Sequence, residues 1–209
     1  VVLTPDKKPF FAGTYFPKSA RLGRPGMLEL LPRIASLWQD DRERLLAPAA
    51  SIAQAFREQP APDGAPPLDS ETLARAAEGL ASIFDRTNGG FGCSPKFPAP
   101  HNLVFLLRHA QRTDDQELQA MAEATLRAMR LGGIYDHVGF GIHRYSTDAA
   151  WRVPHFEKML YDQALVALAY LEAFQVTRKS LYARTAREIF TYVLRDLAAP
   201  AGGFFSAED

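Results

Sequence analysis

The feature that most constrains this chain is a local signal that returns three times: Gly89-Gly90-Phe91, Gly132-Gly133-Ile134 and Gly202-Gly203-Phe204. Paired glycines reach backbone conformations closed to other residues, so each pair marks a sharp hinge. The stretches between the hinges carry apolar residues at helical spacing. Such recurrence predicts repeated helical units with hinged loops gathered on one rim. The hinges are about 43 and then about 70 residues apart, because the middle loop is enlarged from Gly132 to Pro154. Loops of that length are usually functional or disordered, and the aromatic and ionisable content here argues against disorder.

Five helices are predicted around the hinges. The first, capped by Ser70, carries the stripe Leu73, Ala77, Leu80 and Phe84. The next carry Leu103, Leu106, Leu107 and Ala110, then Leu118, Met121, Ala122, Thr125 and Met129. A longer one carries Leu160, Ala164, Leu168, Leu171 and Phe174. The last, opened by Ser180, carries Leu181, Ile189, Phe190, Val193 and Leu197. Upstream the pattern differs. Val1-Val2-Leu3, then Phe10, Phe11 and Tyr15, read as a hairpin around Thr4-Pro5-Asp6. A helix follows from Met27, and a second helical stretch, 41–57, is expected to bend or break near Leu45 because of Pro48. Residues 59–70, rich in proline and glycine, read as a linker. Both ends break off amid apolar or acidic residues, so a fragment of a longer protein is expected.

With 24 basic and 24 acidic residues the formal charge is zero, which gives no support to nucleic-acid or anionic-membrane partners. One cysteine, Cys93, leaves no pair for a disulfide or a CxxC site within these residues and suits a reducing, cytoplasmic setting. It reads as an inert, partly buried thiol. His101 reads as a helix cap and His109 as a helix residue.

The enlarged loop concentrates the chemistry. His137, His143 and His155 fall within nineteen positions, accompanied by Asp136, Glu157 and Asp162. Imidazoles that titrate near neutrality beside carboxylates supply general acids and bases, so these six are the candidate catalytic groups. Arg144, Tyr145, Trp151, Lys158, Tyr161 and Lys96 are the candidate substrate contacts, with an exposed Trp151 or Tyr145 able to stack on a sugar face. Each residue taken singly could equally satisfy rim backbone groups. The histidines and Glu157 could in principle hold a metal, but His155-Phe-Glu157 lacks the i, i+4 histidine pair of a helical zinc site. No metal and no cofactor are expected.

Longer strings carry a resemblance. Thr4-Pro5-Asp6 with Gly13-Thr14-Tyr15-Phe16-Pro17, Gly89 to Gly92 with Pro95-Lys96-Phe97-Pro98, Gly132 to Ser146, Trp151 to Gln163, and Gly202 to Asp209 together resemble the spermatogenesis-associated thioredoxin-like family. Its members join a thioredoxin-like domain to an (α/α) toroid similar to six-hairpin glycosidases and N-acylglucosamine 2-epimerases. The resemblance implies a mainly α chain: residues 1–58 as the C-terminal strands and helices of a thioredoxin-like domain, 59–70 as linker, and 71–209 as the N-terminal half of an incomplete toroid. The family's cysteine motif would lie upstream. Phe140 stands where the family usually has glycine and Ile142 where it usually has phenylalanine.

Two functions follow as expectations. One is a carbohydrate-directed enzyme, an isomerase, epimerase or glycosidase, acting on a small-molecule substrate through the histidine and carboxylate groups. The other is a redox or regulatory protein whose thioredoxin-like part meets protein partners while the toroid is not catalytic.

Overall fold

The computed structural model describes residues 1–58 and 69–209. The chain divides into two compact units, Val1–Pro67 and Leu68–Asp209. Of the expected linker, 59–70, all but Asp69 and Ser70 lie outside the described residues.

In the first unit, β1 (Val2–Leu3) and β2 (Pro9–Phe11) form the antiparallel hairpin expected from the sequence, with Tyr15 outside it. The Thr4 hydroxyl and the Asp6 carboxylate close its turn at 2.6 Å. Two helices follow, α1 (Met27–Asp40) and α2 (Arg42–Arg57). Phe10 of β2 stacks on Trp38 of α1, ring centroids 6.5 Å apart. The expected break at Pro48 does not occur: α2 runs through it, beginning at Asp41, whose side chain accepts from the Arg44 N–H. Pro48 lies beyond the first turn and leaves the Arg44 carbonyl without its helical donor, yet α2 continues past it to Arg57.

The second unit is built on α3 (Ser70–Ser82), α4 (Pro100–Thr113), α5 (Gln116–Leu131), α6 (Leu160–Thr177) and α7 (Ser180–Tyr192), the last continuing as one π-helical turn, Val193–Leu197. Asp69, rather than Ser70, caps α3, forming a capping box with Thr72. The α3 stripe stops short of Phe84, which lies in the loop and bridges to Phe91. His101 caps nothing, since α4 begins without a side-chain cap.

Connections alternate between short and long. Residues 114–115 join α4 to α5 and 178–179 join α6 to α7, so those pairs are antiparallel. The long loops, 83–99, 132–159 and 198–209, therefore gather at one end. Direct pairing proves it. Lys96 in the first loop bridges to Ser146 in the second, and β5 (Lys158–Met159) pairs with β6 (Ala207–Glu208) in the third. The second loop also pairs with itself through β3 (Tyr145–Ser146) and β4 (Pro154–His155).

Below the rim the core is continuous. Leu103, Leu106 and Leu107 of α4, Leu126 and Met129 of α5, and Val166 and Tyr170 of α6 are fully enclosed. Each buried side chain of this size contributes about 1.5–3 kcal/mol relative to exposure. The Tyr170 hydroxyl donates to the Leu126 carbonyl at 2.8 Å, tying α6 to α5. Apolar residues surround α6, and its Leu165, Leu168 and Leu171 remain exposed.

Candidate functional site

The first two rim loops are built on the same plan, and that plan decides which of their charged groups are free. In the first, the Asp85 N–H donates to the Gly90 carbonyl at 2.9 Å. The Asp85 carboxylate accepts from the Thr87 and Asn88 N–H groups at 2.9 and 3.0 Å and from Lys96 Nζ at 2.6 Å. In the second, the Asp136 N–H donates to Gly141 at 3.0 Å. Its carboxylate accepts from the Val138 and Gly139 N–H groups at 2.9 and 2.8 Å and from Lys158 Nζ at 2.7 Å. Each ammonium lies over an aromatic ring, Lys96 over Trp151 and Lys158 over Tyr192. Burial alone would raise the Asp136 carboxyl, but the Lys158 bond and the two backbone donors outweigh it and hold it at about 2. The same balance lowers Asp85.

Asp136 and Lys158 therefore form the second of two ion-paired struts in the rim loops. Lys96 is held in the same way. It is 0 % exposed, and its three donors go to Asp85, Gly89 and Ala149. Trp151 is not an exposed stacking platform either: it is fully buried, and its indole N–H donates to the Asn88 carbonyl at 3.0 Å.

Gln163, to which the sequence assigns no role, joins the enlarged loop to α6. Its buried side-chain amide accepts from the Ile142 N–H at 2.8 Å and donates to the Ile142 carbonyl at 2.7 Å. The neighbours of this clamp are His143 on the loop and Asp162 in the first turn of α6. The His143 ring is buried, and its Nδ1 donates to the Phe156 carbonyl at 3.0 Å. That bond leaves Nε2 as the acceptor nitrogen. Burial lowers the His143 pKa more than the Phe156 bond raises it, so the ring is neutral at pH 7. Asp162 is only 8 % exposed, and its Oδ2 is enclosed without a hydrogen-bond partner. Burial pushes this carboxyl up to about 6, and the nearby Arg144 guanidinium only partly opposes the rise.

Arg144 extends the group outward. Its guanidinium donates to Glu157 Oε2 at 2.7 Å, and its N–H donates to the Glu157 carbonyl at 2.8 Å. His155 Nδ1 lies 3.6 Å from the same Oε2, beyond hydrogen-bond reach, and has no other partner among the described residues. Tyr145 stacks on His155 at 4.8 Å and meets Phe97 at 4.9 Å. Tyr161 sits half-exposed on the first turn of α6.

The expected cluster thus divides. Arg144, Tyr145, His155, Glu157, Tyr161 and Asp162 are linked around one patch of the rim. His143 precedes Arg144 in the chain, and the charged groups that act on it are Lys158, Asp136 and Glu208. His137 is elsewhere: it is exposed, with Nδ1 3.1 Å from Arg130 and Nε2 3.0 Å from the Gly132 carbonyl. Cys93 is exposed rather than partly buried. His109 is buried and stacks on Phe105, as a structural residue would. No group of three or more metal-ligating residues occurs among the described residues.

Known proteins resemble both units. Residues 1–57 match the family Thioredox_DsbH, described as a protein of unknown function, DUF255. The whole chain is 43% identical over 217 aligned residues to human Spermatogenesis-associated protein 20 and spans 28% of its length. Among solved structures, a cellobiose 2-epimerase from Bacillus thermoamylovorans superposes with a TM-score of 0.57 at 16% identity, over 66% of this chain and 40% of that one. A family 76 glycoside hydrolase from Bacteroides thetaiotaomicron gives 0.54 at 15%, over 66% of this chain and 32% of that one. At such identities the likeness concerns the fold: the helical unit has the architecture of part of an (α/α) toroid. By sequence and by fold these 209 residues are similar to a stretch of the spermatogenesis-associated thioredoxin-like proteins, with the Thioredox_DsbH match at residues 1–57 and the toroid likeness in the helices.

Proposed function

We propose that the helical unit is a carbohydrate-directed enzyme in which Asp162 and His143 carry the acid–base chemistry. Arg144, Tyr145, His155, Glu157 and Tyr161 contact the substrate. The observation that carries this reading is the enclosed, partnerless Oδ2 of Asp162. A buried polar atom left unpaired is costly, and perturbed groups in such places favour function. A carboxyl near 6 is partly protonated at pH 7 and can donate a proton. A neutral imidazole with its Nδ1–H already engaged presents Nε2 as a base.

In an isomerase or epimerase step, His143 Nε2 removes the proton from the carbon beside a sugar carbonyl. The C–H electron pair becomes a double bond to the carbonyl carbon, the carbonyl π pair moves onto the oxygen, and Asp162 protonates that oxygen. His143 then returns the proton to carbon while Asp162 takes one back from an enediol hydroxyl, restoring both groups. The half-exposed Tyr145 and Tyr161 rings offer apolar faces to the sugar. Support from fold is by analogy: similar toroids include a cellobiose 2-epimerase and a glycoside hydrolase.

The test uses the full-length protein, incubated in D₂O with aldoses, ketoses and cellobiose. Deuterium should enter beside the carbonyl of one substrate, and D162N should abolish this while remaining folded by circular dichroism. Absence of exchange or hydrolysis across the panel would overturn the assignment. A redox or regulatory reading draws its support from the match of residues 1–57 to Thioredox_DsbH. Disulfide reduction by the full-length protein, unaffected by D162N, would favour it.

A further inference from the structure

On another part of the rim, three arginines from separate segments border one cavity of about 480 Å³: Arg86 from the first loop, Arg127 from α5 and Arg152 from the second loop. Among the described residues no acidic side chain lines it, the Asp148 carboxylate being engaged by the Ala150 and Arg152 N–H groups at 2.7 and 3.1 Å. Arg127 and Arg152 have no ion-pair or side-chain hydrogen-bond partner among the described residues. Arg86 meets Glu117 at 3.0 Å, but both side chains are mostly exposed, so that contact exchanges readily with solvent or a ligand. Charges of one sign around a concave, acid-free surface concentrate ions of the other sign.

The walls hold this geometry. Buried Trp151, between Ala150 and Arg152 in the chain, donates its indole N–H to the carbonyl of Asn88, another lining residue, at 3.0 Å. A Cβ at Gly132 would come within 2.5 Å of the Trp151 carbonyl oxygen, and one at Gly133 within 2.0 Å of the Arg152 carbonyl oxygen. The loop therefore approaches the end of α5 more closely than other residues would allow. The C-terminal end of α5 places the negative end of its dipole here, equivalent to about half a charge. Three full positive charges outweigh it. Planar guanidinium groups match the oxygens of tetrahedral anions, which they bind through paired hydrogen bonds.

We propose that this cavity is a binding site for a small phosphate-bearing molecule, separate from the Asp162 cluster. Its volume accommodates a phosphomonoester of monosaccharide size. Free phosphate and a sugar phosphate share this recognition chemistry, so both are probes.

Isothermal titration of the full-length protein with inorganic phosphate and with glucose 6-phosphate should give saturable binding, tighter for the ester. R127Q and R152Q should each weaken binding by about tenfold or more, as expected for loss of a charged hydrogen-bond donor. K18Q removes the same charge elsewhere and should leave affinity unchanged, while circular dichroism verifies that every variant is folded. Absence of saturable binding, or binding that survives the R127Q/R152Q double substitution, would overturn the site. Tighter binding of a phosphoserine peptide than of glucose 6-phosphate would overturn the small-molecule assignment. The deuterium-exchange experiment is read independently, so failure of either proposal leaves the other standing.

Discussion

The side chain of Gln163 holds the backbone of Ile142 from both sides, accepting from its N–H at 2.8 Å and donating to its carbonyl at 2.7 Å. Both groups are buried, so neither can turn to water instead. This pair of hydrogen bonds fixes the loop just before His143 against the first turn of α6, where Asp162 lies. The candidate acid and base therefore depend for their placement on a neutral residue that takes no part in proton transfer.

Replacing Gln163 by alanine removes both bonds and leaves two backbone groups unpaired. Each unpaired group costs about 1–3 kcal/mol, so Q163A should lose about 3 kcal/mol in urea denaturation. Amide exchange should quicken at residues 141–144 before it does in α4. Unchanged exchange there would show that the loop is held by other contacts.

The two struts differ in burial, and their removal should differ accordingly. Lys96 and Asp85 are 0% and 18% exposed, whereas Lys158 and Asp136 are 10% and 26% exposed. Taking away one partner of a buried pair costs about 3–5 kcal/mol at full burial. K96M should approach about 3 kcal/mol and K158M about 1–2 kcal/mol by denaturant melts. Equal losses would mean that exposure does not govern the struts.

Gly90 and Gly141 are equivalent positions in the two loops, with φ of 83° and 81°. A Cβ on Gly90 would meet the Trp151 ring at 2.6 Å, and one on Gly141 the Tyr192 ring at 2.7 Å. G90A and G141A should each destabilise by about 2–4 kcal/mol, from the left-handed backbone and the overlap together. Near-wild-type melting of either variant would contradict the shared geometry.

Asp162 and Asp136 make opposed contributions to the pH dependence of stability. Asp162 titrates at about 6 when folded, against the ordinary carboxylate value of 3.8. Between those values the folded protein keeps a proton that the unfolded chain has released, so stability falls as pH rises through this window. D162N should remove that slope and stabilise the protein at pH 7–8 by roughly 2–3 kcal/mol. Asp136 acts oppositely. Its folded value of about 2 contributes stability above pH ~4 that is lost as pH falls toward 2. The difference between wild-type and D162N thermal melts from pH 3 to 8 should show the first slope, because His143, whose pKa is lowered by burial, contributes with the opposite sign in both proteins.

Much of the scaffold is legible in order along the chain. Apolar spacing marks α4 to α7, because helical periodicity is a local property, whereas the glycine pairs fall in the rim loops out of register: Gly90 corresponds to Gly141, and Gly132 has an ordinary φ of -83°. Pro48 misleads, since whether a helix survives a proline depends on the contacts that hold its two halves. The site is less legible. Asp136, Lys158, Lys96 and Trp151 have the residue types of a catalytic surface, yet they form the loop framework.

The reason is separation. Lys96 follows Asp85 by eleven positions, while Lys158 follows Asp136 by twenty-two, so no fixed spacing betrays the shared strut. The sequence alone determined a helical repeat with hinged loops and one loop dense in ionisable groups, because those features are written in neighbouring residues. Tertiary structure alone decided which groups are saturated and which, like Asp162 Oδ2, are left without a partner. Burial and hydrogen-bond satisfaction depend on residues far apart in the chain that meet only when the loops pair across the rim.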